Sequence, residues 1–191
     1  MFPEGLTYLT ADNLAVIPEN DAMTVDAVAA TLGYELKQVV VVEGMVSNFK
    51  HTFPSPCTIR DVLTKYYDLQ CVPRISVLEQ LMPYVMNPSQ RQWLIDVLSP
   101  TDKHTAYKIQ IETACRSIAD LIINSLSSLN IPLADLLHII PHMQPRYYTI
   151  SSSSNCYPQS VHITVSVHEF VNHEGKEFRG LCSSYLQVSF H

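Results

Sequence analysis

The sequence predicts an α+β fold, mainly β, interrupted by a helical insertion. Three observations predict it: apolar β-prone segments open the chain, a helical period fills residues 59–141, and a period of two returns beyond Pro145. The 191 residues are 47% apolar and 16% charged, a globular balance long enough for one substantial core. Net charge is −6 with only 12 Lys and Arg and no basic cluster. That excludes a phosphate-backbone footprint and a polybasic membrane patch, so nucleic acid is not an expected partner. Runs such as Gln38 to Val42 and Ile118 to Leu126 fall far short of the ~20 apolar residues of a membrane span. The N-terminal residues lack the basic and apolar regions of a secretory signal. Five cysteines, odd in number and without a CxxC pair, predict a reduced, cytosolic setting. His162 and His168 share a strand face but stand ~20 Å apart on an extended chain, too far to share a metal, so no metal site is expected.

Leu14, Val16 and Ile17 follow the turn-forming Ala11-Asp12-Asn13 and stop at Pro18, which predicts a strand running to an edge. Asn20 or Asp21 then offers an N-cap, Met23, Val25, Val28 and Leu32 an apolar stripe, and Gly33 a stop; these mark a short helix. Leu36 to Gly44, with four consecutive valines, predicts a buried strand. Pro54 and Pro56 punctuate the chain, and helical spacing follows. Thr58 caps a first helix, Ile75, Leu78, Leu81, Met82 and Val85 line a second, and a third follows Pro88. A long helix over about His104 to Leu129 carries Tyr107, Ile111, Ala114, Ile118, Leu121, Ile122 and Leu129 on one stripe, and a last helix starts with Pro132. Beyond Pro145, Val161, Ile163, Val165 and Val167 alternate with His162, Thr164, Ser166, His168 and Phe170, the pattern of a strand with one apolar and one polar face. Composition therefore divides the chain into residues 1–57, a helical 58–141 and 142–191.

Three late motifs carry chemistry. In PRYYTISSSS, Pro145 to Ser154, Arg146 offers a planar charged fork for a pyrophosphate, Tyr148 offers a ring face for a flavin, and Thr149 adds a hydroxyl beside it. The polar strand face is the second motif. In the third, RGLCSSYL from Arg179 to Leu186, a glycine and small hydroxyl residues lead into a helix N-terminus, whose amides and macrodipole attract phosphate. Together they make a dinucleotide pocket. Singly each has a plainer reading: a surface ion pair for Arg146, a core aromatic for Tyr147, a turn for Ser151 to Ser154 and an ordinary strand aromatic for Phe170. Cys182 reads as a small filler, since no histidine stands at a nucleophile's partner spacing.

The order and spacing of six motifs resemble the FAD-binding domain of the diflavin reductases along nearly the whole chain. They are Tyr8, Asp12, Ala15, Val16, Pro18, Asn20 and Asp21, then FPSPCTIRDVLTKYYDL, VPRISVLEQL, RYYTISSSS, SVHITVSV and GLCSSYL. RYYTISSSS and SVHITVSV look closer to the cytochrome P-450 branch, and RGLCSSYL looks like the branch serving cytosolic iron-sulfur assembly. The resemblance implies a flattened antiparallel flavin-binding β-barrel interrupted by a mostly helical connecting domain. It implies an enzyme that passes hydride from NADPH to FAD, and electrons on to an FMN domain and an acceptor such as cytochrome P-450. By the same resemblance Arg146 contacts the FAD pyrophosphate, Tyr148 packs on the isoalloxazine, and Thr149, where the family usually has Ser, is the catalytic hydroxyl near flavin N5. Thr164 and Ser166 would line the flavin, Ser152 and Ser153 the ribityl chain, and Phe170 the adenine. Gly180, Leu181, Cys182 and Ser183 would wrap the pyrophosphate, with Arg116 on the long helix as its second cationic contact.

No GxGxxG or other nicotinamide signature occurs in the sequence. The family's FMN domain, its first and last barrel strands and its NADPH domain find no counterpart here. The expectation is the FAD-binding and connecting portion of an NADPH-dependent oxidoreductase, inactive in hydride transfer by itself. Weak or no FAD retention and a homodimer paired through open barrel edges belong to the same expectation. The parent would work in the cytoplasm, or on the cytoplasmic face of the endoplasmic reticulum where an upstream anchor holds it. The alternative is a non-catalytic scaffold whose helical region positions domains or holds a partner, and flavin binding separates the two.

Overall fold

The computed structural model describes residues 7–42, 53–99, 103–172 and 175–189. Along the chain run β1 (Asn13–Val16), α1 (Ala22–Leu32), β2 (Val39–Val40), β3 (Cys57–Thr58), α2 (Ile59–Lys65), α3 (Ile75–Leu81), α4 (Pro88–Val97), α5 (Lys103–Tyr107), α6 (Ile118–Asp120), α7 (Leu133–Ile139), β4 (Arg146–Thr149), β5 (Glu169–Val171), β6 (Glu177–Arg179) and α8 (Leu181–Ser189). The result is a mixed α and β chain in which strands pair in twos among the described residues: β1 with β4, β2 with β3, β5 with β6.

Packing divides the chain into two compact units, one of Met1–Pro18, Gln144–Phe170 and Arg179–His191, the other of Glu19–Met143 and Val171–Phe178. Val25 and Val28 of α1 are fully buried in the core of the helices, which places α1 in the second of these units.

That helical unit is built by local signals and then filled. Asp21 caps α1 by accepting from the Thr24 N–H (2.9 Å), and Gly33 ends the helix with φ 71°. Asn20, the other candidate cap, is buried instead, and its Nδ2 donates to the Leu63 and Tyr67 carbonyls (2.7 and 2.6 Å). Thr58 caps α2 through the Asp61 N–H (3.1 Å), and Asn87 caps α4 ahead of Pro88. Fully buried Leu63, Leu69, Leu78, Leu94, Ile111, Ile122, Leu126 and Leu136 form the core.

Two expectations are corrected in this unit. The long helix is broken: Lys108–Thr113 and Leu121–Ser125 are π-wound, and between them Cys115 takes φ 49°. The cause is a capping box, in which Ser117 Oγ accepts from the Asp120 N–H (3.1 Å) and Asp120 Oδ2 from the Ser117 N–H (3.2 Å), starting a new helix at Ile118. The apolar stripe survives the break, all seven of its members being buried. Buried Asn172 donates to the Ala114 carbonyl at the break (2.8 Å), and Lys176 pairs with Asp120. The second correction concerns the valine run. Only Val39–Val40 pair, with Cys57–Thr58, and Val39 and Val41 are exposed while Val40 and Val42 pack on the core. A strand of period two turns only alternate residues inward; Gly44 lies outside the described residues.

In the other unit β1 pairs antiparallel with β4 in the register Leu14 to Tyr148 and Val16 to Arg146. Alternation therefore sets Arg146 and Tyr148 on one half-buried face and Tyr147 and Thr149 on the opposite, exposed one. Residues 161–166 keep the expected alternation, with Val161, Ile163 and Val165 half-buried and His162, Thr164 and Ser166 exposed, but Val167, expected on the apolar face, is exposed. The expected strand is nonetheless not a ladder, for among the described residues the stretch pairs through one bridge, Ile150 to Ile163. Only Glu169–Val171 at its end is laddered, with β6.

Candidate functional site

The first unit assembles the site on β4 and the start of α8. The Tyr148 phenol lies beside the Cys182 thiol of the first helical turn. Burial first, and then that thiol, push the Tyr148 phenol from its ordinary 10 up to about 12, against a lowering by the nearby Arg146 guanidinium. Tyr148 thus keeps its proton at neutral pH beside a permanent positive charge. Arg146 is half-buried, and its Nη1 donates to the Gln144 carbonyl (2.5 Å), just ahead of the strand.

The glycine turn is tight for a reason visible in its neighbours. A Cβ at Gly180 would stand 2.9 Å from Ser183 Oγ and 3.1 Å from His168 Cβ. Only glycine lets its N–H reach the His168 carbonyl at 2.8 Å. The Ser184 N–H makes the bond back to the Gly180 carbonyl (3.0 Å), so the amides of Leu181, Cys182 and Ser183 precede it and open from the helix start. An arginine, a protonated phenol and a turn of helix amides on one unit are the donor set an anionic pyrophosphate needs. The residues present therefore fit FAD.

Two of the expected serines have partners inside the chain. Ser183 is buried, accepts from the His168 N–H (3.2 Å) and donates its own proton to the Gly180 carbonyl (3.1 Å). Ser152 is buried at 4% exposure, bonds the Tyr8 hydroxyl (2.8 Å) and accepts from the His162 N–H (3.0 Å). Thr149, Thr164, Ser166 and Phe170 are exposed. Leu181 is half-buried and Cys182 buried, close to Tyr148. Arg116 belongs to the second unit, at the break before Ser117, and its N–H donates to the Ile111 carbonyl (3.0 Å). Sequence reading assigned Tyr8 no task; its place at the head of the first motif was the available signal.

Residues 3–185 match the FAD binding domain family, and the chain belongs to that family. FAD is accordingly its cofactor. Among curated relatives, an NADPH–cytochrome P-450 reductase of Cavia porcellus is 34% identical over 185 residues, 96% of this chain and 27% of the relative. Those of Homo sapiens (32%, covering 96% and 27%) and Drosophila melanogaster (31%, covering 95% and 27%) are similar to it over the same span. The chain spans about a quarter of the length of the curated relatives it matches. Among the described residues no helix is long and apolar enough to cross a membrane.

Proposed function

We propose that this chain is the FAD-binding and connecting portion of an NADPH-dependent diflavin oxidoreductase. Its electrons would pass through an FMN domain to an acceptor protein such as cytochrome P-450, in the cytoplasm or at its membrane face. Family membership and the relatives' name support the class. The observation that carries the site is the register of β4, which sets Arg146 and Tyr148 on one face in the same unit as the Gly180 turn and the α8 amides. The chemistry supplied by bound FAD is the conversion of a two-electron donor into single electrons.

Arg146 and the amides of Leu181, Cys182 and Ser183 neutralise the pyrophosphate, and Gly180 lets the turn close on it. Tyr148 offers its ring to the isoalloxazine and keeps its proton. Thr149, Thr164 and Ser166 would supply exposed hydroxyls to the flavin, and Phe170 an exposed ring to the adenine. FAD titration of the purified chain, followed by flavin fluorescence, tests this. Weak but saturable quenching is expected, and at least about tenfold weaker binding in Arg146→Ala with Tyr148→Ala, the loss of a charge-assisted contact. Equal quenching in the wild type and the double variant would contradict the site.

A further inference from the structure

Resting on the FAD site proposed above, we infer that Tyr8 is a positioning residue of that site: its hydroxyl locks the register between β4 and the extended stretch carrying Thr164 and Ser166. Tyr8 is 8% exposed, and its oxygen meets three partners more than 140 residues away in sequence: Ser152 Oγ at 2.8 Å, the Tyr157 carbonyl at 3.0 Å and the Ser160 carbonyl at 3.0 Å. A phenol has one proton. Both carbonyls accept only, so that proton serves them, and Ser152 must donate to the tyrosine oxygen. Ser152 then accepts from the His162 N–H (3.0 Å), which closes the chain of bonds without an unpaired member.

The loop from Ser152 to His162 is thereby stapled at both ends and at its middle. The Tyr157 and His162 rings stack across it, centroids 4.3 Å apart. Beyond the loop, the stretch holding Thr164 and Ser166 meets the end of β4 through the Ile150 to Ile163 bridge and the Ser151 N–H to His162 carbonyl bond (2.8 Å). So short a pairing specifies register weakly. A slip of one residue would turn Thr164 and Ser166 inward and put Ile163 and Val165 in their place. The buried hydroxyl pair supplies the missing specification.

The test uses the full chain with Tyr8→Phe, which removes one oxygen and keeps the ring, and with Ser152→Ala. In flavin-free protein, amide exchange at Ser151 and His162 is expected to quicken about tenfold, the worth of one hydrogen bond, while the amides of α2 and α4 keep their rates. FAD affinity is expected to fall about tenfold with an altered bound-flavin absorption band, and the two changes together should weaken binding no more than either alone. Unchanged exchange at Ser151 and His162 in both variants overturns the lock. Faster exchange with unaltered FAD affinity and spectrum, or additive losses, overturns the positioning role. A wild-type chain blind to FAD overturns the flavin reading and the positioning role with it, and the exchange result still decides the lock.

Discussion

The helical unit buries eight leucine and isoleucine side chains completely, whereas the described residues of the flavin unit bury Tyr8, Pro18, Ile150, Cys182 and Leu186 among apolar side chains, and neither Ile150 nor Leu186 completely. A buried Leu or Ile contributes about 1.5–3 kcal/mol, a net hydrogen bond about 0.5–1.5. The helical unit is thus a packed scaffold. The flavin unit is held by hydroxyls and backbone groups: Tyr8 on Ser152, Ser152 on the His162 N–H, Ser183 inside the glycine turn. Such a region gains most from a ligand, because anything that binds only its ordered form stabilises it. The division of labour matches the function proposed, a firm support and a site completed by its cofactor.

The largest way to break that contrast is to open the scaffold. Leu63→Ala should cost about 2–5 kcal/mol in urea unfolding followed by far-UV circular dichroism; a loss below about 1 kcal/mol would mean the core is not where stability lies. Arg146→Ala should instead weaken FAD by about 10–100-fold, the worth of a charge-assisted bond, and leave the helical transition where it was. Asn20→Ala strips the Leu63 and Tyr67 carbonyls of their donor, and should lower the helical transition by about 1–3 kcal/mol without changing FAD affinity. The smallest effect sharpens the flavin unit alone. Because the folded site holds the Tyr148 proton where the unfolded chain has lost it, that contribution to stability is complete below pH 10 and is lost as pH rises from 10 through about 12. Phenolate absorbance should show several late-titrating tyrosines, since Tyr34, Tyr84 and Tyr107 are raised as well, and Cys182→Ala should bring one of them back toward 10.

Local signals were legible in the sequence and long-range ones were not. Asp21, Gly33, Thr58 and Asn87-Pro88 set helix ends through neighbours three or four residues away, so the helices of the middle could be placed. The break after Ala114 was also written locally, as Ser117-x-x-Asp120, but the unbroken apolar stripe across it read as one helix. Arg146 and Tyr148 share a face because strands alternate, which spacing alone predicts. The serines' partners inside the chain were not legible, because a hydroxyl's partner depends on the fold: Tyr8 for Ser152, His168 for Ser183. Four consecutive valines likewise suggested burial on both faces, which needs partners on both sides, and β2 pairs with β3 through two residues.

Amide hydrogen exchange of the full chain, with and without saturating FAD, tests the central claim most directly. The account predicts slowed exchange from Arg146 to Ile150 and from Gly180 to Leu186, with α2, α4 and α7 unchanged. Protection confined to the helical unit, or spread evenly over both, would contradict it.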